Sequence, residues 1–188
     1  MTKEDKRKYL MIMVLGTVMN FMFYGMARVL DLPIYMNSIG TGYAAMLLEP
    51  AAGLLVGYIY NFFEAILIYG PESMIYYATT AVTAIAIGVR LRKEGSIEIR
   101  RLPSTVLFIT VVNTIISGCL TIRRTGGDFS DSWEAGMIEA LMERGISKYV
   151  SYFISSFGLK LIDAVILTAA LYVFYKVTPE KWYVVKRS

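Results

Sequence analysis

Four residues, Gly53, Gly57, Asn61 and Glu64, follow one another at spacings of four, four and three within an otherwise apolar run. On a helix that spacing puts them on one face. The two glycines would admit a neighbouring helix closely, and Asn61 and Glu64 would continue the same buried stripe. A second stripe, Tyr152, Ser156, Lys160 and Asp163, repeats the arrangement near the end of the chain. Three further apolar runs contribute Asn113 and Ser117, then Tyr76, Thr80 and Thr83, then Asn20, Tyr24 and Arg28. Such groups suit recognition of a small polar or zwitterionic solute, through ion pairs, hydrogen bonds and ring stacking. The candidate binding residues are therefore Arg28, Asn61, Glu64, Tyr76, Thr80, Asn113, Ser117, Tyr152, Ser156, Lys160 and Asp163.

Each also has a structural reading. Lys160 and Asp163 can neutralise one another and merely staple helices together. Glu64 follows Phe62 and Phe63 and precedes Ala65, with no local partner. It must meet a base such as Lys160 or Arg28, take up a proton, or meet a ligand. Arg28 with Asp31 reads as a helix-end pair or as part of the site. Tyr76, Tyr77 and Tyr152 lie at the height where an interfacial belt and a pocket rim look alike.

Several functions are excluded or disfavoured. One cysteine and no histidine leave no internal disulfide, no Cys or His metal site and no histidine base. No metal or cofactor is expected. There is no GxxxxGK[ST] phosphate loop, so any ATP must be hydrolysed by another chain, and no paired-carboxylate or nucleophile motif supports an enzyme. The net charge of +4 comes from bases beside apolar runs, a topogenic pattern rather than a nucleic-acid surface.

The elements that must position these residues are membrane spans. Of the 188 residues, 56% are hydrophobic and 18% charged, too little polar surface for a soluble domain of this size. The expected fold is an all-α integral membrane protein, one domain over residues 1–188. Six spans are drawn at about 9–29, 37–48, 50–69, 72–90, 103–122 and 149–176. A bilayer core of ~30 Å needs ~20 residues. The second segment, flanked by Pro33 and Pro50, would reach only ~18 Å, with Asn37 or Ser38 capping its start. With both termini cytoplasmic, thirteen Lys and Arg fall inside and only Arg123, Arg124, Arg144 and Lys148 outside, as the positive-inside pattern requires. A segment at about 130–146 then faces outward. Asp131 and Glu134 have capping-box spacing, and Trp133, Met137, Leu141 and Ile146 form an apolar stripe. It is either an interfacial helix anchored by Trp133 or a lid carrying Trp133.

In this orientation the polar groups lie at mid-membrane or in the outer half, while "AIAIGV" and "VILTAALYVFY" leave the inner half apolar. That predicts a pocket open to the outside above a sealed floor, and argues against a channel, which needs polar lining throughout.

The run "LPIYMNSIGTGYAAMLLEPAAGLLVGYIYNFF" resembles the second-to-third-helix region of the substrate-binding S components of energy-coupling factor (ECF) transporters. The similar elements are Leu32-Pro33, then Ser38-Ile39-Gly40, the Leu47-Leu48-x-Pro50 turn, and Gly53-xxx-Gly57 with Asn61 soon after. About 35 residues match closely. The resemblance implies high-affinity capture of a vitamin-like micronutrient at a bacterial or archaeal cell membrane. It also implies a transmembrane coupling subunit and two ATPase subunits as partners. It places the solute near Asn113, Ser117, Tyr152, Ser156 and Lys160. The alternative is a membrane sensor or assembly module that binds a ligand or partner without transport. Two departures stand out. Gly16 is followed at spacing four by Asn20 and Tyr24, where many relatives keep small residues for docking the coupling subunit. Glu49 stands before Pro50, where many have glycine, and would cap the third helix or touch a partner.

Overall fold

The structure, a computed structural model, describes residues 3–93, 96–130, 132, 134–183 and 186–187. Their regular elements are helices and three two-residue strands, joined by turns and loops. Helix α1 (Lys3–Val29) has Glu4 and Asp5 in its first turn and Arg28 in its last, each at the end its charge favours. Helix α3 (Pro50–Glu64) begins at a proline, whose missing N–H falls among the unpaired donors of a first turn. It continues as a π-helical turn, Ala65–Tyr69, and stops at Gly70, φ +89°. A 3₁₀ turn, Pro71–Tyr76, leads into α4 (Tyr77–Arg90). Helix α5 (Leu102–Thr125) ends on left-handed Gly126, the usual glycine stop. The short α6 (Ala135–Glu143) precedes α7 (Lys148–Val177).

Five helical segments are long and apolar enough to cross a membrane: Lys3–Val29, Pro50–Tyr69, Pro71–Arg90, Ile99–Thr125 and Lys148–Val177. The chain is in this respect consistent with a multi-pass membrane protein. The second expected span is different. Helix α2 covers only Ile39–Leu47, nine residues, about 14 Å. Among the described residues of the outer segment, only α6 is helical.

One end of the bundle gathers distant parts of the chain. Strand β1 (Arg92–Lys93) pairs antiparallel with β2 (Ser96–Ile97), which pairs parallel with β3 (Lys186–Arg187). At the same end the Tyr9 hydroxyl donates to the Glu49 carboxylate. Glu49 makes no side-chain cap to α3; it ties α1 to the α2–α3 turn instead. From this basal end α1, α3 and α5 rise, and α2, α4 and α7 return.

All nine residues of α2 are buried. A Cβ on Gly40 would lie 1.8 Å from the Gly16 carbonyl oxygen, and one on Gly53 2.6 Å from the Ala45 Cβ. One on Gly57 would meet the Thr80 methyl at 2.5 Å. Backbone contact on this scale is available only to glycine. It also places Gly16 and the fully buried Asn20 inside the bundle, against α2. The face of α1 left exposed carries Met11, Val14, Leu15, Val18 and Met22, so the Gly16–Asn20–Tyr24 series is not an outer docking surface.

Helix α2 can be this short because the chain descends before it begins. After Val29 the segment 30–38 turns inward, and Asp163, about midway along α7, accepts the N–H groups of Tyr35 (3.2 Å) and Met36 (3.1 Å). Met36 is left-handed, φ +51°, a conformation that costs a non-glycine residue about 1 kcal/mol or more. The first helical donors are met from α1: Asn20 Oδ1 accepts Gly40 N–H at 2.7 Å and Thr41 N–H at 3.2 Å. Its Nδ2 donates to Thr41 Oγ1 at 2.9 Å. Neither Asn37 nor Ser38 caps the helix; Ser38 holds the N-cap position without a side-chain bond. Irregular backbone at this depth is tolerable because protein groups satisfy it.

Candidate functional site

The segment 30–38 forms one wall of a cavity of about 910 Å³ at the end opposite the strands. Helices α3, α4, α5 and α7 form the others, and residues around Asp128–Glu134 border its mouth. Ten of the eleven candidates line it: Arg28, Asn61, Glu64, Tyr76, Thr80, Asn113, Ser117, Tyr152, Lys160 and Asp163. Ser156 does not. It is fully buried, its short side chain shut in among the packed helices. Trp133, the expected lid residue, lies outside the described residues.

Most of the polar atoms serve one another. Asn61 Nδ2 donates to the Gly57 carbonyl (2.8 Å) and to Thr80 Oγ1 (3.0 Å), which fixes α3 against α4. The Tyr60 hydroxyl donates to Glu64 at 2.6 Å, and the hydroxyls of Tyr76 and Thr121 meet at 2.8 Å. Both oxygens of Asp163 hold the 30–38 backbone, as described above. Asp163 therefore shapes the wall, and the alternative in which Lys160 and Asp163 pair as a staple is not realised: among the described residues no carboxylate lies within 4.0 Å of Lys160. Its ammonium stands 5.9 Å over the Tyr35 ring, while Glu134 and Asp163 act on it from farther away.

Asn113 differs from Asn61. The Thr83 hydroxyl donates its proton to the Thr79 carbonyl (3.0 Å), so Thr83 Oγ1 can only accept toward Asn113. That fixes the amide: Nδ2 donates to Thr83 at 3.2 Å, and Oδ1 is left with no partner, as is the Ser117 hydroxyl one turn along. Unpaired buried groups are uncommon because each costs ~1–3 kcal/mol. Here two sit on the cavity wall, ready to accept N–H or O–H from a solute while Lys160 pairs with an anion.

At the mouth Arg124 lies 3.7 Å from Glu72 and over the Tyr76 ring at 5.9 Å. The Ser130 N–H donates to Asp128 at 3.0 Å and holds that carboxyl below the usual carboxylate range. Phe129 stacks on Tyr152, ring centres 4.2 Å apart and 11° from parallel. At the bottom Ile109, Ala164 and Leu167 close the cavity, with Ile87, Val106 and Leu171 buried in the same core.

Several lining residues were absent from the candidate set. Tyr35 and Met36 come from a loop, which carries no periodicity to read. Tyr69 faces the cavity with Glu64, five residues before it, because the intervening turn is π-helical; α-periodicity would have chosen Ile68. Glu134 sits in the segment expected to form either an interfacial helix or a lid, where its spacing from Asp131 suggests a capping box, and Phe129 lies just before that segment. Among the described residues no group of three His, Cys, Asp or Glu could hold a metal.

Fold and cavity together define a helical bundle, apolar outside and with five helical segments long and apolar enough to cross a membrane, that holds a polar pocket at one end. No protein-family model, no curated protein and no solved structure matches the chain.

Proposed function

We propose that this protein captures a small polar or zwitterionic micronutrient and serves as the S component of an ECF-type transporter. The observation that carries the reading is the cavity itself: about 910 Å³, polar-walled and closed below by apolar side chains. It contains an amine that no carboxylate among the described residues contacts, and a volume of ~300–1,000 Å³ is typical of small-molecule sites. On this reading the chain lies in a bacterial or archaeal cell membrane. It crosses six times, with segment 30–38 and α2 together making the second crossing, and the base-rich end is cytoplasmic. It is a binding subunit and not an enzyme; a coupling subunit and two ATPase subunits supply the energy.

Native mass spectrometry of the purified protein tests this by the small molecule it retains. Lys160→Ala should lower that occupancy about tenfold or more, the scale of a lost charge-assisted contact, with the melting temperature preserved. Unchanged occupancy removes Lys160 from the site. Pull-down from the native membrane separates transport from sensing: ATPase and coupling subunits co-purify only in the first case.

A further inference from the structure

A second concavity lies on the outer surface of the bundle, independent of the solute pocket. It is a groove of about 760 Å³ between α5 and α7. Along α7 it is lined by Leu161, Val165, Thr168, Ala169, Tyr172 and Lys176, spaced to form one helical stripe. From Leu161 to Lys176 the stripe is ~22 Å long, enough to run from mid-bilayer to one interface. The small side chains at 168 and 169 make the hollow. The Thr168 hydroxyl donates back to the Ala164 carbonyl at 2.8 Å, which leaves that surface without a free proton.

The groove is not uniformly apolar. At its basal rim it is lined by Arg100 and Lys176, both exposed. Among the described residues neither has a carboxylate within 4.0 Å, whereas adjacent Arg101 is held by Glu98 at 2.5 Å. Lys176 stands 5.5 Å over the ring of half-exposed Tyr172, at the level where an amphipathic ring meets lipid head groups. An apolar trough ending in two unpaired cations complements an acyl chain that ends in a phosphate. Paired basic groups between helices at an interface are a recurrent way to hold anionic head groups. We propose that this groove binds one anionic phospholipid of the basal leaflet, its phosphate between Arg100 and Lys176 and an acyl chain along α7. Ala164 borders both this groove and the solute cavity, so α7 is the wall between them.

The test uses purified protein in equimolar phosphatidylglycerol and phosphatidylcholine, with bound lipid counted by native mass spectrometry. Wild-type protein should retain one phosphatidylglycerol in preference to phosphatidylcholine. The pair Arg100→Gln with Lys176→Gln should reduce that preference about tenfold or more, at roughly a factor of five per basic group near a membrane surface. Lys6→Gln with Arg7→Gln, which removes two charges from the same end outside the groove, should leave it intact. Equal loss in both pairs means general charge attraction and overturns the proposal, as does no loss in the first. Should the first pair fail to fold, Ala169→Phe fills the trough and must expel the retained lipid. Retention despite it refutes the groove. Displacement of the lipid by millimolar inorganic phosphate would show an anion site without a lipid trough, and would also refute it.

Discussion

Asn20 and Asn113 are the same residue type at comparable depth in two apolar helices, and they do opposite things. In the seam where α1, α2, α3 and α4 meet, Asn20 uses both ends of its amide on the start of α2. Around the cavity, Asn113 uses one end on Thr83 and leaves its carbonyl oxygen unpaired. Lys160 and Asp163 repeat the contrast one turn apart on α7: the carboxylate is committed to backbone, the amine to no carboxylate among the described residues. A polar residue inside an apolar helix thus marks either a structural joint or a site. In both comparisons the residue with unused hydrogen-bonding capacity is the one on the cavity wall, although the buried hydroxyls of Thr105, Ser155 and Ser156 also go unpaired away from it.

The largest effect that would break this contrast lies at the tightest point of the seam. Gly40→Ala puts a methyl 1.8 Å from the Gly16 carbonyl oxygen, which neither backbone can avoid. It should abolish folding or cost more than about 4 kcal/mol, seen as loss of the monodisperse peak in detergent. Next comes the asparagine pair. Asn20→Leu strands two buried N–H groups and should cost about 3 kcal/mol in a denaturation assay. Asn113→Leu should change stability by less than about 1 kcal/mol while lowering retained solute roughly tenfold. If the two substitutions destabilise alike, leftover capacity does not distinguish site from joint. The smallest effect sharpens the reading of glycines: a Cβ on Gly25 meets nothing within 4 Å. Gly25→Ala should therefore leave thermal stability unchanged or raise it by about 0.5 kcal/mol.

Much of the cavity was legible beforehand because its walls are α-helices. Regular spacing puts Asn61 and Glu64 on one face of α3 and Tyr152 and Asp163 on one face of α7 whatever the partners are, and charge exclusion from lipid narrows the field further. What escaped the spacing argument was irregular. Tyr35 arrives on a loop held by Asp163, Tyr69 on a π-turn, and Phe129 and Glu134 ahead of α6, outside its helical turns. Ser156 shows the converse error, since a shared face does not guarantee that a short side chain reaches the hollow.

The sequence by itself determined the apolar helices, their approximate ends, and which polar residues share a face, because hydropathy and a period of 3.6 are local properties of the chain. Only the tertiary structure decided that α2 starts at mid-depth, capped by Asn20 from another helix, and that Asp163 is occupied while Lys160 meets no carboxylate among the described residues. Those outcomes depend on donors and acceptors from different elements, about twenty residues apart at Asn20 and more than one hundred apart at Asp163, meeting within 2.7–3.2 Å. No reading of spacing along one chain can supply that distance.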